Sequence, residues 1–201
     1  MNQSISSAIS TEALDQIFLN ARSHHAWQDK PVSDELLKKV YELAKHGPTS
    51  LNTSPARIIF IKSKEEQGKL LPALMGANVG QVTAAPVTVI VAQDMEFYEK
   101  LGKLAPVVEN ARAWFAGNAA AIEATAFRNS SLQGAYFVIA ARSLGLDVCP
   151  MSGFDNAKLD ETFFKGTSWK SNFICTLGYG DNAKLTPRWP RLDFAEACKI
   201  I

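Results

Sequence analysis

A chain of 201 residues, 47% of them apolar, can bury the core of one large domain or two small ones. Lys and Arg number 21 against 20 Asp and Glu, and a formal charge of +1 gives no broad field for nucleic acid or an anionic membrane. The longest apolar runs fall short of the roughly 20 residues that cross a bilayer, and the first ten residues lack the basic and apolar regions of a signal peptide, so the cytoplasm is the expected compartment.

In chain order, Ser10 is a candidate N-cap, and Leu14, Ile17, Phe18 and Ala21 at helical spacing predict a helix ending near Arg22. The segment Arg22-Ser23-His24-His25-Ala26-Trp27 then gathers a guanidinium, a hydroxyl and two imidazoles where the helix gives out. It reads either as an anion site or as a solvated helix end whose cations complement the dipole. Adjacent histidines point in different directions on a helix and no matching carboxylate spacing accompanies them, so no metal site is expected. Ser33 caps a second helix with Leu36, Leu37, Val40, Leu43 and Ala44 as its buried stripe, and Gly47 is its expected stop.

From Gly47 to Arg57 the chain reads as a polar loop between two rigid elements. Thr49, Ser50, Asn52, Thr53 and Ser54 offer uncharged donors and acceptors, which suit the edge of a polar heterocycle or a row of hydroxyls; an ordinary proline-capped turn is the other reading. A strand over 57–62 and a charged helix from Ser63 to about Leu71, broken at Pro72, come next. A short helix within Gly76–Pro86 presents Asn78 and Gln81 on one face at i, i+3, either as ligand-binding amides or as exposed polar positions.

Val87-Thr88-Val89-Ile90-Val91-Ala92 predicts a central strand buried on both faces, hence helices on both sides of the sheet. Residues 94–118 read as short helices joined by a mobile surface segment, a candidate lid. A long helix over 119–144 follows, with Ile122, Phe127, Leu132, Tyr136, Ile139 and Ala140 as its apolar positions; its polar middle, Arg128 to Gln133, points to a cavity or a subunit interface. Leu146 to Pro150 predicts a short strand entering the turn Met151-Ser152-Gly153, where backbone N–H groups can be left unpaired and Gly153 is expected to take a positive φ. The missing first glycine of a Gly-x-Ser-x-Gly elbow excludes a serine hydrolase. A buried strand, Phe173 to Leu177, precedes a basic, proline-stiffened loop in which Arg188 and Arg191 form a second candidate anion site. Cys149, Cys175 and Cys198 are odd in number and widely spaced, which predicts buried thiols and neither a disulfide framework nor a zinc site. About three buried strands among helices, with no Gly-x-Gly-x-x-Gly and no Walker loop, predict one α+β domain that is neither a dinucleotide-binding Rossmann fold nor an NTPase.

Five segments carry a resemblance in their order and spacing: Arg22-Ser23-x-x-x-Trp27, Pro48-Thr49-Ser50-x-Asn52-x-x-Pro55, Asn78 with Gln81, Pro150-Met151-Ser152-Gly153-Phe154-Asp155, and the closing Arg188 and Arg191. Over nearly the whole chain they resemble the nitroreductase family of FMN-dependent oxidoreductases. Gly-Pro-Thr-Ser-x-Asn-x-Ser-Pro-Ala-Arg, Phe-Arg-Asn-Ser-Ser and Cys-Pro-Met-Ser-Gly-Phe-Asp most resemble its malonic semialdehyde reductases of pyrimidine degradation. The resemblance implies a nitroreductase-like FMN-binding fold, a mainly antiparallel sheet flanked by helices in a homodimer of the domain-swapped type, with FMN at the subunit interface. It implies that Arg22, Ser23 and one of His24 and His25 meet the phosphate and pyrimidine side, that Arg188 or Arg191 closes on the phosphate, and that Pro48, Thr49, Ser50 and Asn52 reach in from the partner subunit. Asn78 matches a ribityl or pyrimidine contact, and Pro150, Met151, Ser152 and Gly153 match the segment along the flavin. Near the flavin N1/O2 edge, where many relatives place a cation, this chain offers His25 or Ala26, and Gln81. NADPH or NADH is the implied reductant and malonic semialdehyde the implied acceptor, with a broad nitro or quinone reductase and a non-catalytic flavin-binding protein as alternatives. Arg112 and Arg128 are the candidates for meeting a substrate carboxylate.

Overall fold

The computed structural model describes residues 7–201. Four strands, β1 (Ala56–Ile61), β2 (Val87–Asp94), β3 (Asp147–Met151) and β4 (Trp169–Gly178), form one sheet in the order β1-β2-β4-β3, antiparallel throughout. Ile59, Ile90, Ile174 and Met151 fall in one row across it. Every residue of β2 is buried, as its unbroken β-branched run requires, whereas β1 is an edge strand and only half-buried.

The described residues also form eight α-helices: α1 (Thr11–Leu14), α2 (Asp34–Ala44), α3 (Lys64–Leu70), α4 (Asn78–Ala84), α5 (Leu101–Leu104), α6 (Ala119–Ser143), α7 (Asn156–Phe163) and α8 (Phe194–Ala197). Helices α2 and α6 cover one face of the sheet, where Val40 and Phe137 pack on Val89, Val91, Cys175 and Leu177. On the other face Leu70, Val82 and Leu159 of α3, α4 and α7 pack against Ile90, Ile174 and Met151. Both cores are continuous, and truncating a residue as completely buried as Phe137 to alanine costs roughly 3–5 kcal/mol. The predicted caps form at Ser10 and Ser33, whose hydroxyls accept from the N–H groups of Ala13 and Leu36, and Ser63 caps α3 in the same way through Glu66 N–H.

Several expectations need correction. The first helix does not reach Arg22: after α1 it widens to a π-helical turn over Asp15–Leu19, closed by Asn20 N–H donating to the Asp15 carbonyl. The chain then runs extended, and Trp27 bridges to Gly180. The sheet has four strands rather than about three, because the short segment before the Ser152-Gly153 turn pairs fully with β4. Gly47 is needed for contact and not for a left-handed turn, since a Cβ there would meet the Tyr136 ring at 2.5 Å. Cys149 and Cys175 are buried, but Cys198 is exposed. Phe127 and Leu132 of α6 are exposed, and Tyr136 is 39% exposed with its ring against Gly47.

Residues 97–115 form three short helical turns around their own small core of Leu101, Ala105 and Ala111. Two carboxylate–guanidinium bonds, from Arg112 Nε and Nη2 to Glu99, tie the first turn to the last.

Candidate functional site

At the carboxyl end of β3 the chain makes a tight turn that is held from the side. Leu74 and Phe154 form a β-bridge, Met75 N–H donates to the Gly153 carbonyl (2.9 Å), and Asp155 N–H donates to the Ala73 carbonyl (2.7 Å). Asn78, at the start of α4, donates its side-chain amide to the same Gly153 carbonyl (2.9 Å). Gly153 does not take the expected positive φ. The glycine is needed because an added Cβ would lie 2.7 Å from Asn78 Nδ2. Among the described residues, neither the Ser152 nor the Gly153 N–H finds an acceptor. Two adjacent backbone donors therefore remain free at a half-exposed turn, which is the polar complement of an acceptor-bearing ligand. Gln81, one turn along α4, accepts from the Cys149 thiol (3.8 Å), so Asn78 and Gln81 both face the β3 segment. Burial pushes that thiol above its ordinary pKa, which keeps it an uncharged donor. Pro150 is exposed and Met151 buried, the alternation of a strand.

A second polar group gathers at the other end of β3. Arg22 donates to the Thr186 carbonyl, and Arg188 donates to the carbonyls of Leu19 and Ala21 (2.6 and 3.0 Å), so the two ends of the chain exchange arginines. Arg191 does not join them; it bonds the carbonyls of Trp189 and Pro190. The two histidines part company. His24 is 3% exposed, with Nε2 3.1 Å from Asn182 Oδ1 and Nδ1 3.3 Å from Asp147 Oδ1, and it fills the space above Gly180. Nε2 is paired and Nδ1 is buried near Asp147 without a hydrogen bond, and burial of this ring leaves His25, exposed beside the exposed Ser23, as the imidazole open to a ligand. Arg142, at the last turn of α6, joins this group; sequence reading missed it because it sits in a helix otherwise read as core.

The loop read as polar lies elsewhere. It precedes β1, while the Ser152-Gly153 turn follows β3, and these strands are opposite edges of the sheet, about 14 Å apart at three strand spacings. No hydrogen bond of the loop reaches 73–81 or 150–155. Ser50 N–H donates instead to Asn129 Oδ1 (2.7 Å), Ala56 N–H to Gln133 Oε1 (2.8 Å), and Asn52 Nδ2 to the Leu104 carbonyl (2.8 Å). The polar middle of α6 is thus a brace for this loop. Leu51, Asn52 and Ser54 all adopt left-handed backbone (φ 51°, 51° and 41°), a strain of roughly 1–3 kcal/mol each that the brace must offset. Pro48, Ser50 and Asn52 are exposed and Thr49 is half-buried, its hydroxyl accepting from Ser54 N–H. Leu51 packs into the core of the 97–115 segment, so loop and candidate lid form one unit. A groove of about 1090 Å³ runs from Asn52 and Ser54 along β1 and α2.

Of the candidate carboxylate-binding arginines, Arg112 is spent on Glu99, while Arg128 is exposed with no acidic partner among the described residues.

A sequence model described as the nitroreductase family matches residues 19–179. A Burkholderia lata protein provisionally named NADH dehydrogenase/NAD(P)H nitroreductase is 59% identical over 192 residues, covering 96% of this chain and 98% of its own. One of Ralstonia nicotianae with the same kind of name is 54% identical over 188 residues, covering 94% and 96%. Among solved structures, a provisionally named nitroreductase of Exiguobacterium sibiricum in complex with FMN superposes with a TM-score of 0.81 at 20% identity, covering 98% of this chain and all of its own. One of Bacillus subtilis gives 0.84 at 18% identity, covering 96% and 100%.

Proposed function

The chain belongs to the nitroreductase family, and from that premise we propose that it is an FMN-dependent NAD(P)H oxidoreductase whose acceptor is malonic semialdehyde. The observation that carries the cofactor reading is the pair of free N–H groups at Ser152 and Gly153, held in place by Asn78. The residues fit the group. Asn78 with the 150–153 turn offers donors to a ring edge, and the Arg22–Arg188 cluster, one strand length away, offers cations to a phosphate. His25 and Gln81 are the polar side chains for the pyrimidine side.

When bound, FMN supplies two-electron chemistry, accepting hydride from a nicotinamide and passing it to an acceptor. The chain's own residues contribute position and polarity. The Ser152 and Gly153 N–H groups would orient the ring, the arginines would hold the phosphate, and the unit of loop 48–54 and segment 97–115 would exclude water from the site. In the net reaction NAD(P)H becomes NAD(P)⁺, hydride adds to the aldehyde carbon, and solvent supplies the proton that completes 3-hydroxypropanoate.

The reading includes a homodimer. Loop 48–54 and the 150–153 turn sit at opposite edges of one sheet, and on this reading the loop serves the flavin of a second copy. Such an assembly could cover the exposed Phe127 and Leu132 of α6 and the exposed Phe194, Ile200 and Ile201 of the tail.

The malonic semialdehyde assignment rests on the three extended sequence motifs, and the relatives' names favour a second reading, a broad reductase of nitro compounds. Comparing kcat/KM for malonic semialdehyde, a nitroaromatic and a quinone decides between them. The aldehyde is expected to lead by at least tenfold; a lead of orders of magnitude for the nitroaromatic or quinone would overturn the assignment.

A further inference from the structure

The two side-chain amides of α4 are each committed at one end. Asn78 spends its Nδ2 on the Gly153 carbonyl (2.9 Å), and Gln81 turns its Oε1 to the Cys149 thiol (3.8 Å). An amide carries one accepting oxygen and one donating nitrogen, so engaging one end fixes what the other presents. Asn78 is left with a free acceptor and Gln81 with a free donor, since neither Asn78 Oδ1 nor Gln81 Nε2 has a partner among the described residues. Both side chains are half-buried and lie one turn apart on the face of α4 turned to β3. Cys149 is 4% exposed and packs in the core with Val82, Met151 and Ile174, a place that an apolar side chain would fill as well. Its thiol adds to that packing a contact with the one end of the Gln81 amide that would otherwise be free to exchange with the other. Burial keeps the thiol protonated, hence a donor.

We infer that Cys149 is a positioning residue that holds Gln81 as a hydrogen-bond donor toward the carbonyl edge of the flavin's pyrimidine ring. The inference rests on the FMN reading and adds to it an uncharged donor, oriented by a thiol, at the edge that gains negative charge when the flavin is reduced. A cation placed there would need no such orientation, because its charge is the same from every side. An amide does need it: turned over by half a rotation, Gln81 would set an acceptor against an acceptor. A hydrogen bond to a group that becomes charged is also worth more than one between neutral partners, so the orientation matters most for the reduced flavin.

The test uses the full-length chain loaded with FMN and reads the midpoint potential of the bound flavin by equilibration with a reference dye. Gln81→Leu removes the donor and is expected to weaken reduced FMN about tenfold relative to oxidised FMN, a fall of about 30 mV for two electrons. Cys149→Ala keeps the amide but frees its rotation, and a relative loss of about threefold is expected, about 15 mV. In the double variant the alanine is expected to add nothing, because no amide is left to orient. Equal shifts from Cys149→Ala with and without Gln81 would make the thiol core filler and overturn the inference, as would an unchanged potential in Gln81→Leu. Cys149→Ser keeps a donor and is expected to stay nearer the unaltered potential than Cys149→Ala; equal shifts in these two variants contradict the inference. Should the alanine variant not fold, Cys149→Val, which fills the space without a donor, takes its place in the same cycle. A chain that binds no FMN fails the cofactor reading itself, whereas bound flavin with no shift in any variant fails only the roles given to Cys149 and Gln81.

Discussion

At the scale of single residues, the turn at Ser152-Gly153 is controlled by contact. Gly153→Ala would drive a Cβ onto the Asn78 amide at 2.7 Å, so the amide must leave the Gly153 carbonyl. FMN affinity is expected to fall about tenfold, the worth of one to two hydrogen bonds, with a melting temperature close to that of the unaltered protein; fluorescence titration and a thermal melt check both. The sequence showed that Gly153 mattered but suggested the wrong reason, because a turn glycine and a contact glycine look alike until the neighbour 75 residues away is known. His24 and His25 were indistinguishable for the same reason: only the position of Asp147 and Asn182 decides which ring turns inward.

Asp94 gives a pH prediction. Burial pushes its carboxyl up, but the Ser168 hydroxyl, the Glu96 N–H and the Arg57 guanidinium more than offset this, and its pKa lies below the ordinary 3.8. A carboxyl depressed in the folded state contributes stability above its unfolded pKa and loses it as pH falls through the folded value. Stability is therefore expected to drop below about pH 4, and Asp94→Asn should flatten that limb while lowering stability at neutral pH, as thermal melts across the pH range would show.

At the scale of elements, the strained loop before β1 and the polar middle of α6 are one device. Asn129 is 1% exposed and holds the Ser50 N–H, so Asn129→Ala removes the acceptor of that N–H and empties a buried position. A loss of about 1–3 kcal/mol in denaturant unfolding is expected, together with weaker flavin retention because the loop loses its conformation. The α6 helix itself was legible from its periodicity and its Gly145 stop. The purpose of Asn129 and Gln133 was not, since a side chain bracing backbone 79 or 77 positions away leaves no local signal. The left-handed residues were equally hidden. Leu51 and Ser54 are not residues that announce positive φ, and they hold it only because packing and the α6 amides impose it. The four strands, by contrast, were largely readable, because β-branched runs bounded by Pro86 and Gly180 leave few alternatives.

At the scale of the whole molecule, the proposed reading divides the flavin site between loop 48–54 and the 150–153 turn, which lie at opposite sheet edges. Asn52→Ala removes the bond to Leu104 and the side chain best suited to left-handed backbone. Dimers mixed from altered and unaltered chains are expected to lose flavin at one site of two; loss at both sites or at neither contradicts a loop lent across the interface. Removing residues 193–201, whose Ile200 and Ile201 are 86% and 105% exposed, is expected to shift the dimer toward monomer in sedimentation equilibrium. Neither half could be assigned from local chemistry, which left the loop as readily a turn as a site; the order of five segments along the chain pointed to a shared cofactor.

The most direct measurement is anaerobic titration of the purified yellow protein with NADPH and, separately, NADH. The flavin's visible absorption band is expected to bleach stoichiometrically with one or both and to return on adding malonic semialdehyde. A protein that carries no flavin after supply of FMN, or whose flavin band stays unchanged with both nicotinamides, would contradict the oxidoreductase account.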